Sequence, residues 1–418
     1  MQMIITAPEK LNATVVLPSS KSISNRVLVM NAMSGSEEKP RNVSVCDDTR
    51  VMVRAFEEDK EVVDIMAAGT AMRFLTAYYA ATPGKVKTMT GTKRMCQRPI
   101  RVLVDALRAL GADIEYVAEE GFPPLYIKGK ELEVERVELP GSVSSQYISA
   151  LLMVGPMLKK GLRLKLTGAV ISRPYINLTL SLMKDFGADA AWDGEREIVV
   201  APKPYRTIPF TVESDWSAAS YWYEMVALSE DESARIVLPE LWEESYQGDA
   251  EVAQIFARLG VVTTYDREHR SVVLHKGGEV VERMEYDFVN QPDLAQTVVV
   301  TCCMLGIPFR FTGLQSLKIK ETDRMAALIC ELGKLGYVLE EKDDSILSWD
   351  GTHLLIDPVP GSEVAIDTYE DHRMAMAFAP VCLKQEQVKI NNPEVVSKSY
   401  PGFWDDLKQV GFELAERP

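Results

Sequence analysis

The sequence is poor in the features that mark metal-binding, membrane-spanning and nucleic-acid-binding proteins. Its six cysteines form no C-x-x-C pair and its four histidines show no metal-ligand spacing, so no structural zinc site is expected. No apolar run approaches the roughly 18 residues that a membrane-spanning helix needs. The 46 Lys and Arg are outnumbered by 61 Asp and Glu, for a formal net charge of −15, which argues against a nucleic-acid or anionic-membrane partner. Gly-rich loops of the P-loop or dinucleotide type are also missing, so no nucleotide cofactor is expected.

The length of 418 residues exceeds what one hydrophobic core usually serves, and it predicts two domains or an internal duplication. Hydrophobic residues make up 46% and charged residues 26% of the chain, a balance typical of folded rather than disordered proteins. The first residues, MQMIITAPEK, read as an apolar strand without the basic and long apolar regions of a secretion signal. We therefore expect a cytoplasmic protein.

One pattern recurs along the chain with a period of about 75 residues. In each copy an amphipathic helix ends at a glycine, and alternating residues typical of a strand follow. Glycine is expected there because it adopts positive φ without steric cost. The five glycines are spaced 73 to 76 residues apart: Gly111, Gly187, Gly260, Gly336 and Gly411. Such regular spacing predicts repeated structural units.

A second series of helices falls between these glycines. Most of its members open with Ser, Thr or Asp, the residues that cap free backbone amides, and several are apolar nearly all round, which predicts burial. They begin near Lys21, Thr70, Ser144, Asp215, Asp293 and Asp371. The six helices predict six units of about 70 residues, which divide into two domains of three.

Polar and basic residues collect at the starts of these buried helices. Taken singly, each is typical of an ordinary cap or a solvated charge. As a set they predict a site for a ligand with several phosphate or carboxylate groups, because helix starts carry free N–H groups and partial positive charge. The set comprises Lys21, Ser22, Arg26, Gly69, Thr70, Arg73, Ser144, Ser145, Gln146, Asp293, His372 and Arg373. Three further stretches, RMCQRPI, LKIKETDRM and SKSYPGF, add basic and acidic candidates.

Eight motifs occur in a fixed order along the chain: PSSKSISNR, AGTAMRF, RMCQRPI, GSVSSQYISALLM, SRPYINLTL, QPDLAQT, KETDRM and DHRMAMAF. By these motifs the chain resembles the EPSP synthases, the 3-phosphoshikimate 1-carboxyvinyltransferases, from about Pro18 to Phe403. The resemblance implies an α/β (α+β) fold of two similar domains. Each would hold three βαβαββ units with buried helices and outer sheets, an inside-out α/β barrel. One domain would be residues 20–213, and the other 1–19 with 214–418, with the active site in the cleft between them.

The resemblance also implies an activity. Enzymes of this family transfer the enolpyruvyl group of phosphoenolpyruvate to the 5-hydroxyl of shikimate 3-phosphate through a tetrahedral intermediate and release phosphate, a step of chorismate and aromatic amino acid biosynthesis. No metal or organic cofactor is implied, and a monomer with small-molecule substrates is expected. The reaction requires a general acid, a general base and cations that neutralise phosphate and carboxylate groups.

The resemblance implies that each motif residue of this chain has the role of the matching residue in the family. Glu321 matches the residue that protonates the methylene carbon, Asp293 the one that accepts the hydroxyl proton, and Lys21 bridges both substrates. His372 is a neighbouring candidate for proton transfer. The shikimate 3-phosphate contacts would be Lys21, Ser22, Arg26, Ser144, Ser145, Gln146, Ser172, Tyr175, Asp293 and Lys320. The phosphoenolpyruvate contacts would be Lys21, Gly69, Arg94, Gln146, Arg324, Arg373 and Lys398.

The chain departs from the family at three positions near these motifs. Ala67 replaces the usual Asn of N-A-G-T, which removes a hydrogen bond worth roughly 0.5–1.5 kcal/mol for phosphoenolpyruvate. Phe74 stands where Pro or a small aliphatic residue is common, and Ser316 where Asn often contacts the sugar phosphate. These changes bear on phosphoenolpyruvate affinity and glyphosate sensitivity rather than on the type of reaction.

Two alternatives compete with this interpretation. The UDP-N-acetylglucosamine 1-carboxyvinyltransferases use a Lys-Asn pair and a loop Cys five residues before Arg-Pro. Here Ser22 follows Lys21, Lys93 stands five residues before Arg98, and Cys96 is out of register. A metabolite-binding relative without turnover is the second alternative, although it would not need both the acid and the base.

Overall fold

The computed structural model describes residues 1–354 and 364–417. In these residues the strands are β1 (Gln2–Thr6), β2 (Asn12–Thr14), β3 (Val62–Asp64), β4 (Val86–Thr90), β5 (Asp113–Tyr116), β6 (Leu125–Lys128), β7 (Arg136–Pro140), β8 (Leu162–Thr167), β9 (Ala190–Asp193), β10 (Glu197–Val200), β11 (Arg235–Pro239), β12 (Leu259–Asp266), β13 (Ser271–Val280), β14 (Met284–Asp287), β15 (Phe309–Thr312), β16 (Glu340–Lys342), β17 (Ile346–Trp349), β18 (Ala365–Ile366), β19 (Val388–Asn391) and β20 (Glu413–Arg417).

The α-helices of the same residues are α1 (Lys21–Met33), α2 (Asp47–Glu57), α3 (Gly69–Ala80), α4 (Arg101–Ala109), α5 (Ser145–Val154), α6 (Arg173–Asp185), α7 (Trp216–Leu228), α8 (Val252–Ala257), α9 (Ala295–Leu305), α10 (Arg324–Lys334), α11 (His372–Phe378) and α12 (Phe403–Val410). Short 3-10 helices lie at Met95–Gln97, Gly155–Met157, Gly248–Glu251, Pro292–Leu294, Gln315–Ile319, Ala379–Leu383 and Pro393–Lys398.

The strands of the described residues form five four-stranded sheets that share one topology. In β3-β4-β6-β5, for example, β3 and β4 are parallel while β4, β6 and β5 pair antiparallel. The parallel pair is joined by a helix, as a parallel connection requires, and a second helix leads into the closing hairpin. Each sheet with its two helices is therefore a βαβαββ unit. The other sheets are β7-β8-β10-β9, β2-β11-β13-β12, β14-β15-β17-β16 and β18-β19-β1-β20.

The two ends of the chain meet in one of these sheets. The strand next to β19 and β20 is β1, which pairs antiparallel with both. The N-terminus therefore supplies the fourth strand of the last unit. The chain continues into β2, which pairs in parallel with β11 more than two hundred residues later. The residues between β2 and α7 are therefore inserted into the unit whose sheet is β2-β11-β13-β12.

By its internal contacts the chain divides into two units: Ser19–Val212 on one side, and Met1–Pro18 with Glu213–Pro418 on the other. Three helices lie at the centre of each. In Ser19–Val212 these are α1, α3 and α5, which contact one another, and in the second unit they are α7, α9 and α11. Nearly every residue of α3, α7 and α9 is buried, which confirms the prediction of buried helices.

The glycines that end the outer helices behave as predicted. Gly111, Gly187, Gly260, Gly336 and Gly411 all have φ between +83° and +107°. The predicted sixth unit differs from the other five. It consists of α1 and α2, and between β2 and β3 the described residues have no strand, only isolated bridges such as that between Arg41 and Thr211.

Candidate functional site

In the unit that contains the C-terminus, the predicted functional residues lie where three helices begin. Asp293 is in the 3-10 turn that leads into α9. Lys320 and Glu321 lie in the loop before α10, whose first residue is Arg324. Arg373 is the second residue of α11. The bodies of α9 and α11 are largely apolar and buried, so their charged residues collect at the helix starts. Helix α10 is amphipathic and carries Glu331 and Lys334 nearer its end.

Arg324 is the centre of this group. Its side chain is buried, and its Nε and Nη2 atoms donate to the Asp371 carboxylate at 2.7 and 3.4 Å. Nη1 donates to Asp293 at 3.1 Å and Nη2 to Glu321 at 2.9 Å. Burial lowers the pKa of Arg324, but the charges of these three carboxylates outweigh burial and raise it above its ordinary value. The guanidinium is therefore a permanent, fixed charge.

Asp293 holds three cations in position. One carboxylate oxygen lies 3.4 Å from Lys320 Nζ and 3.1 Å from Arg324 Nη1, while the other lies 2.9 Å from Arg373 Nη2. The guanidinium of Arg373 also donates to the hydroxyl of Tyr221 at 3.3 Å. Burial is the main reason that the pKa of Tyr221 rises to about 12, so this hydroxyl stays neutral. Tyr221, a buried residue of α7, thus also orients an arginine.

Asp249 is a neighbour of this group that the sequence does not single out. It is buried and accepts a hydrogen bond from the Ser217 hydroxyl. Burial, followed by the charge of Asp293, raises the pKa of Asp249 to about 6, although Ser217 and Arg373 lower it. No spacing rule distinguishes Asp249 from the chain's other acidic residues. Its electrostatic interaction with Asp293 becomes apparent only in the folded structure.

The remaining candidates of this unit surround α11. Asp371 caps the helix by accepting from the backbone N–H of Arg373 at 2.9 Å, as its place in the sequence predicts. His372 is buried, with its Nδ1 atom 3.8 Å from Asp371. Lys398 ends the 3-10 helix Pro393–Lys398 and donates to the Glu370 carbonyl at 2.5 Å. These contacts connect Lys398 to the same helix start as Arg373.

In the unit Ser19–Val212, Arg26 is buried among neutral partners. Its guanidinium donates to Thr179 Oγ1 at 2.7 Å, to Ser149 Oγ at 3.2 Å and to the Ser22 carbonyl at 2.8 Å. Burial lowers the pKa of Arg26 to about 10, against a smaller raising effect of Tyr175. A desolvated cation whose described hydrogen-bond partners are all uncharged favours an anion nearby.

The starts of α3 and α5 meet in the same unit. Gln146 Nε2 donates to Thr70 Oγ1 at 3.1 Å. A Cβ atom on Gly69 would stand 2.7 Å from guanidinium nitrogens of both Arg73 and Arg98, so only glycine fits there without a shift. Arg73 also donates to the Gly69 carbonyl at 2.8 Å. Two guanidinium groups thus converge on one buried helix start.

Arg94, the arginine of RMCQRPI that the sequence analysis selects, does not share this position. It is exposed and precedes the 3-10 helix Met95–Gln97, whereas the guanidinium next to Gly69 belongs to Arg98. The 3-10 helix Met95–Gln97 separates the two arginines, and the motif alone does not show which of them lies next to Gly69. The geometry therefore favours Arg98 over Arg94 as the anion-binding residue of this motif.

The other predicted residues of this unit lie at helix starts. Lys21 begins α1, with its ammonium 3.5 Å from Asp48. Ser144 caps α5 by accepting from the Gln146 amide at 3.4 Å, and Ser145 is the first residue of that helix. Ser172 precedes α6 with φ of 53° and ψ of 37°, a left-handed conformation that costs energy for a residue other than glycine.

Tyr175 lies in the first turn of α6, where its N–H donates to the Ser172 carbonyl at 3.1 Å. The partners that sequence reasoning missed in this unit are Ser149, Thr179, Asp48 and Arg98. Their hydroxyl, carboxylate and guanidinium groups come from helices and loops distant in sequence, so no local motif signals them.

Two further properties of the described ranges bear on function. Residues 1–354 and 364–417 contain no helix that is long and apolar enough to cross a membrane. The same ranges contain no group of three or more His, Cys, Asp or Glu residues suited to hold a metal ion.

Comparison with known proteins identifies the family. The family model of EPSP synthase (3-phosphoshikimate 1-carboxyvinyltransferase) matches residues 5–58 and 52–407. A 3-phosphoshikimate 1-carboxyvinyltransferase of Bacteroides fragilis is 60% identical over 414 residues, which cover 99% of each chain. The enzyme of that name from Cellvibrio japonicus is 37% identical over 441 residues, covering 98% of this chain and all of the other.

A solved structure of EPSP synthase from Acinetobacter baumannii has the same fold. It superimposes with a TM-score of 0.77 at 20% sequence identity and covers 99% of this chain and 100% of its own. These findings confirm the predicted fold class of two-domain inside-out α/β barrels, the predicted family and the predicted class of enzyme. The chain belongs to the EPSP synthase (3-phosphoshikimate 1-carboxyvinyltransferase) family.

Proposed function

We propose that this chain transfers the carboxyvinyl group of phosphoenolpyruvate to the 5-hydroxyl of shikimate 3-phosphate, with release of inorganic phosphate. Identity of 60% across 99% of a 3-phosphoshikimate 1-carboxyvinyltransferase supports this reaction. The observation that carries the proposal is the network of Asp293, Glu321, Lys320, Arg324 and Arg373. It combines two carboxylates for proton transfer with three cations for anionic substrates.

The proton transfers of this reaction require one acid and one base. In our proposal Glu321 donates a proton to the methylene carbon of phosphoenolpyruvate, which leaves a cationic carbon. The 5-hydroxyl oxygen attacks that carbon while Asp293 accepts the hydroxyl proton. The tetrahedral intermediate then loses phosphate, which takes the proton held by Asp293. The Glu321 carboxylate recovers its proton from the new methyl group, and this restores the double bond. Lys21 completes the proposed catalytic set by bridging the two substrates.

The arginine that holds Glu321 has a clear role in this scheme. Arg324 is itself buried, but the Glu321 side chain is about one-quarter exposed, so one face of the carboxyl group is open to a ligand. A fixed cation beside an acid stabilises the carboxylate that remains after proton donation. The same cation also offers charge to the carboxylate of phosphoenolpyruvate.

We assign the phosphoenolpyruvate contacts to the cations and helix starts of both units. Hydrogen bonds support the assignment of Arg324, Arg373 and Lys398. The Asp371 carboxylate accepts from Arg324 and from the Arg373 amide, and the Glu370 carbonyl accepts from Lys398. Arg98 replaces Arg94 in this assignment, because it is the guanidinium that lies next to Gly69. The remaining contacts would come from Lys21 and Gln146.

The proposed shikimate 3-phosphate contacts are mostly hydroxyl groups, together with one amide and three cations, of which Arg26 is buried. Arg26, desolvated and surrounded by neutral groups, suits a single anionic group. The others are Ser22, Ser144, Ser145, Gln146, Ser172, Tyr175, Lys320 and Lys21. Hydroxyl and amide donors distinguish a polyhydroxylated ring phosphate from a simple phosphate because they bind its oxygens individually.

A phosphate-release assay tests the proposed reaction. With shikimate 3-phosphate and phosphoenolpyruvate the enzyme should release phosphate, and it should release none when UDP-N-acetylglucosamine replaces the sugar phosphate. We also propose that it works as a monomer in the cytoplasm without a metal or organic cofactor. Turnover should therefore survive prolonged chelation, and sedimentation should give a single species of about the chain mass of 46.7 kDa. Absence of phosphate release with both proposed substrates would refute the function.

A further inference from the structure

The turn immediately before α11 has an unfavourable backbone conformation. The N–H of Asp371 donates to the Thr368 carbonyl at 2.8 Å, which closes a four-residue turn. Its two central residues, Tyr369 and Glu370, have φ of 53° and 56°. Turns with two positive φ values are normally built from glycine, asparagine or aspartate. Tyrosine and glutamate adopt this conformation only where the surroundings hold them in it.

Glu331 supplies part of that restraint. It is a fully buried residue of α10, and its Oε1 atom accepts a hydrogen bond from the Tyr369 hydroxyl at 2.5 Å. Its Oε2 atom accepts from the Asp367 amide at 3.0 Å and lies 2.7 Å from Lys334 Nζ. One buried carboxylate thus holds the turn both by its backbone entrance and by the side chain of its first central residue.

Lys334 and Asp367 extend this restraint to the neighbouring sheet. Lys334 Nζ lies 2.7 Å from Asp367 Oδ2 and also donates to the Ala365 carbonyl in β18. The other oxygen of Asp367 accepts from Asn391 Nδ2, at the end of β19, at 2.7 Å. The segment before the turn is therefore fixed to two strands and to α10.

The residues after the turn belong to the proposed active site. Asp371 binds Arg324 and caps the Arg373 amide, and Arg373 reaches Asp293. On the opposite side, Lys398 donates to the carbonyl of Glu370. A change of the turn would therefore displace Arg373 and Lys398 together, the two cations assigned to phosphoenolpyruvate.

We propose that Glu331 is a positioning residue, which acts through the hydroxyl of Tyr369 to keep the turn Thr368–Asp371 in its left-handed form and so aligns Arg373 and Lys398. It touches no substrate in this scheme. The proposal rests on the proposed function for its kinetic consequences, whereas its structural part concerns the turn alone.

Tyr369→Phe is the principal test because it removes only a hydroxyl from a side chain that is 37% exposed, so folding is not at risk. The KM for phosphoenolpyruvate should rise about threefold to tenfold, the affinity change that one hydrogen bond supports. The KM for shikimate 3-phosphate and kcat should change by less than about twofold. Amide exchange of residues 368–373 should become faster, and this readout requires no activity.

Glu331→Gln should show the same pattern more strongly, since its amide would place a donor against the donors that the carboxylate now accepts from. Glu224→Gln is the matched control, a second glutamate of the same unit that is fully buried and does not contact the turn. It should leave both KM values and the exchange of residues 368–373 unchanged.

A rescue separates positioning from general destabilisation. In the Glu331→Gln background, Tyr369→Asn with Glu370→Gly gives the turn a sequence that prefers two positive φ values. This triple variant should recover most of the lost affinity for phosphoenolpyruvate. If Tyr369→Phe leaves both KM values and the exchange rates at wild-type levels, or if the triple variant stays as impaired as Glu331→Gln, the proposal is wrong. A wild-type enzyme that releases no phosphate would refute the proposed function instead, and the exchange measurements would still decide the role of Glu331.

Discussion

At the scale of single residues, the proposed division of proton transfer between Glu321 and Asp293 depends on different surroundings. Glu321 has one described cationic partner, Arg324, while Asp293 has three. Glu321→Gln and Asp293→Asn should each lower turnover at least about 100-fold, the usual contribution of a positioned acid or base. The measurement is phosphate release at saturating substrates, with exposed Glu230→Gln as the control for a lost surface charge. Near-normal turnover in either variant would remove that residue from the mechanism.

The two arginines of RMCQRPI offer a comparison within one motif. Arg98 lies against Gly69, whereas Arg94 is exposed. Arg98→Gln should raise the KM for phosphoenolpyruvate by at least about tenfold, because a charge-assisted hydrogen bond is lost. Arg94→Gln is the matched control and should stay within about twofold. The reverse result would restore Arg94 as the ligand contact.

The third prediction for a single residue concerns Glu224, a buried glutamate in the middle of α7, and its effect on the pH dependence of stability. Burial raises its pKa well above the ordinary value. The folded protein therefore holds this group protonated, whereas the unfolded chain ionises it near pH 4.3. Its contribution to the free energy of unfolding is complete below that pH. As pH rises towards the folded-state pKa, ionisation of the unfolded chain reduces stability by up to about 1.4 kcal/mol per unit.

Glu224→Gln cannot ionise, so it should equal or exceed the wild type in stability, by a margin that grows between pH 5 and pH 8. Urea unfolding of both proteins at these two values checks the prediction. The pKa of Asp249 and of Glu213 is also raised by burial, to about 6 and about 7, but these groups are present in both proteins and cancel in the difference. A margin that shrinks as pH rises would show that Glu224 is ionised in the folded state.

At the scale of helices and strands, the sequence predicts what local patterns determine. Each of the five glycine stops and the burial of the central helices follows from spacing and apolar content. Helix ends are less predictable. The sequence predicts that a helix begins near Asp371 but not where it ends: α11 ends at Phe378 and becomes the 3-10 helix Ala379–Leu383. Pro380 lies at that change and cannot donate a helical hydrogen bond.

Which strands pair with each other cannot be predicted from local sequence patterns. Nothing in MQMIITAPEK indicates that β1 pairs with β19 and β20 at the far end of the chain. The same limit applies to the candidate site. Charged motifs predict Lys320, Glu321 and Arg324, since they are neighbours in sequence. Asp249, Ser149 and Thr179 come from other helices and loops, and their contacts follow from the packing of those elements.

At the scale of the whole molecule, the insertion of residues 19–212 between β2 and α7 makes a prediction about folding and activity. By its internal contacts the chain divides into two units, and each has its own central trio of helices. We therefore expect residues 19–212 to fold alone, and the remainder to fold when a short Gly-Ser linker replaces the insertion.

Neither fragment should release phosphate, because Lys21 belongs to one and Asp293 and Glu321 belong to the other. Thermal unfolding followed by circular dichroism should give a cooperative transition for each fragment. The fragment 19–212 is expected to be the less stable one, because its unit of α1 and α2 has only isolated bridges in place of a four-stranded sheet among the described residues. A non-cooperative transition in either fragment would show that its core depends on the other. Turnover by one fragment alone would refute the assignment of the catalytic residues to both.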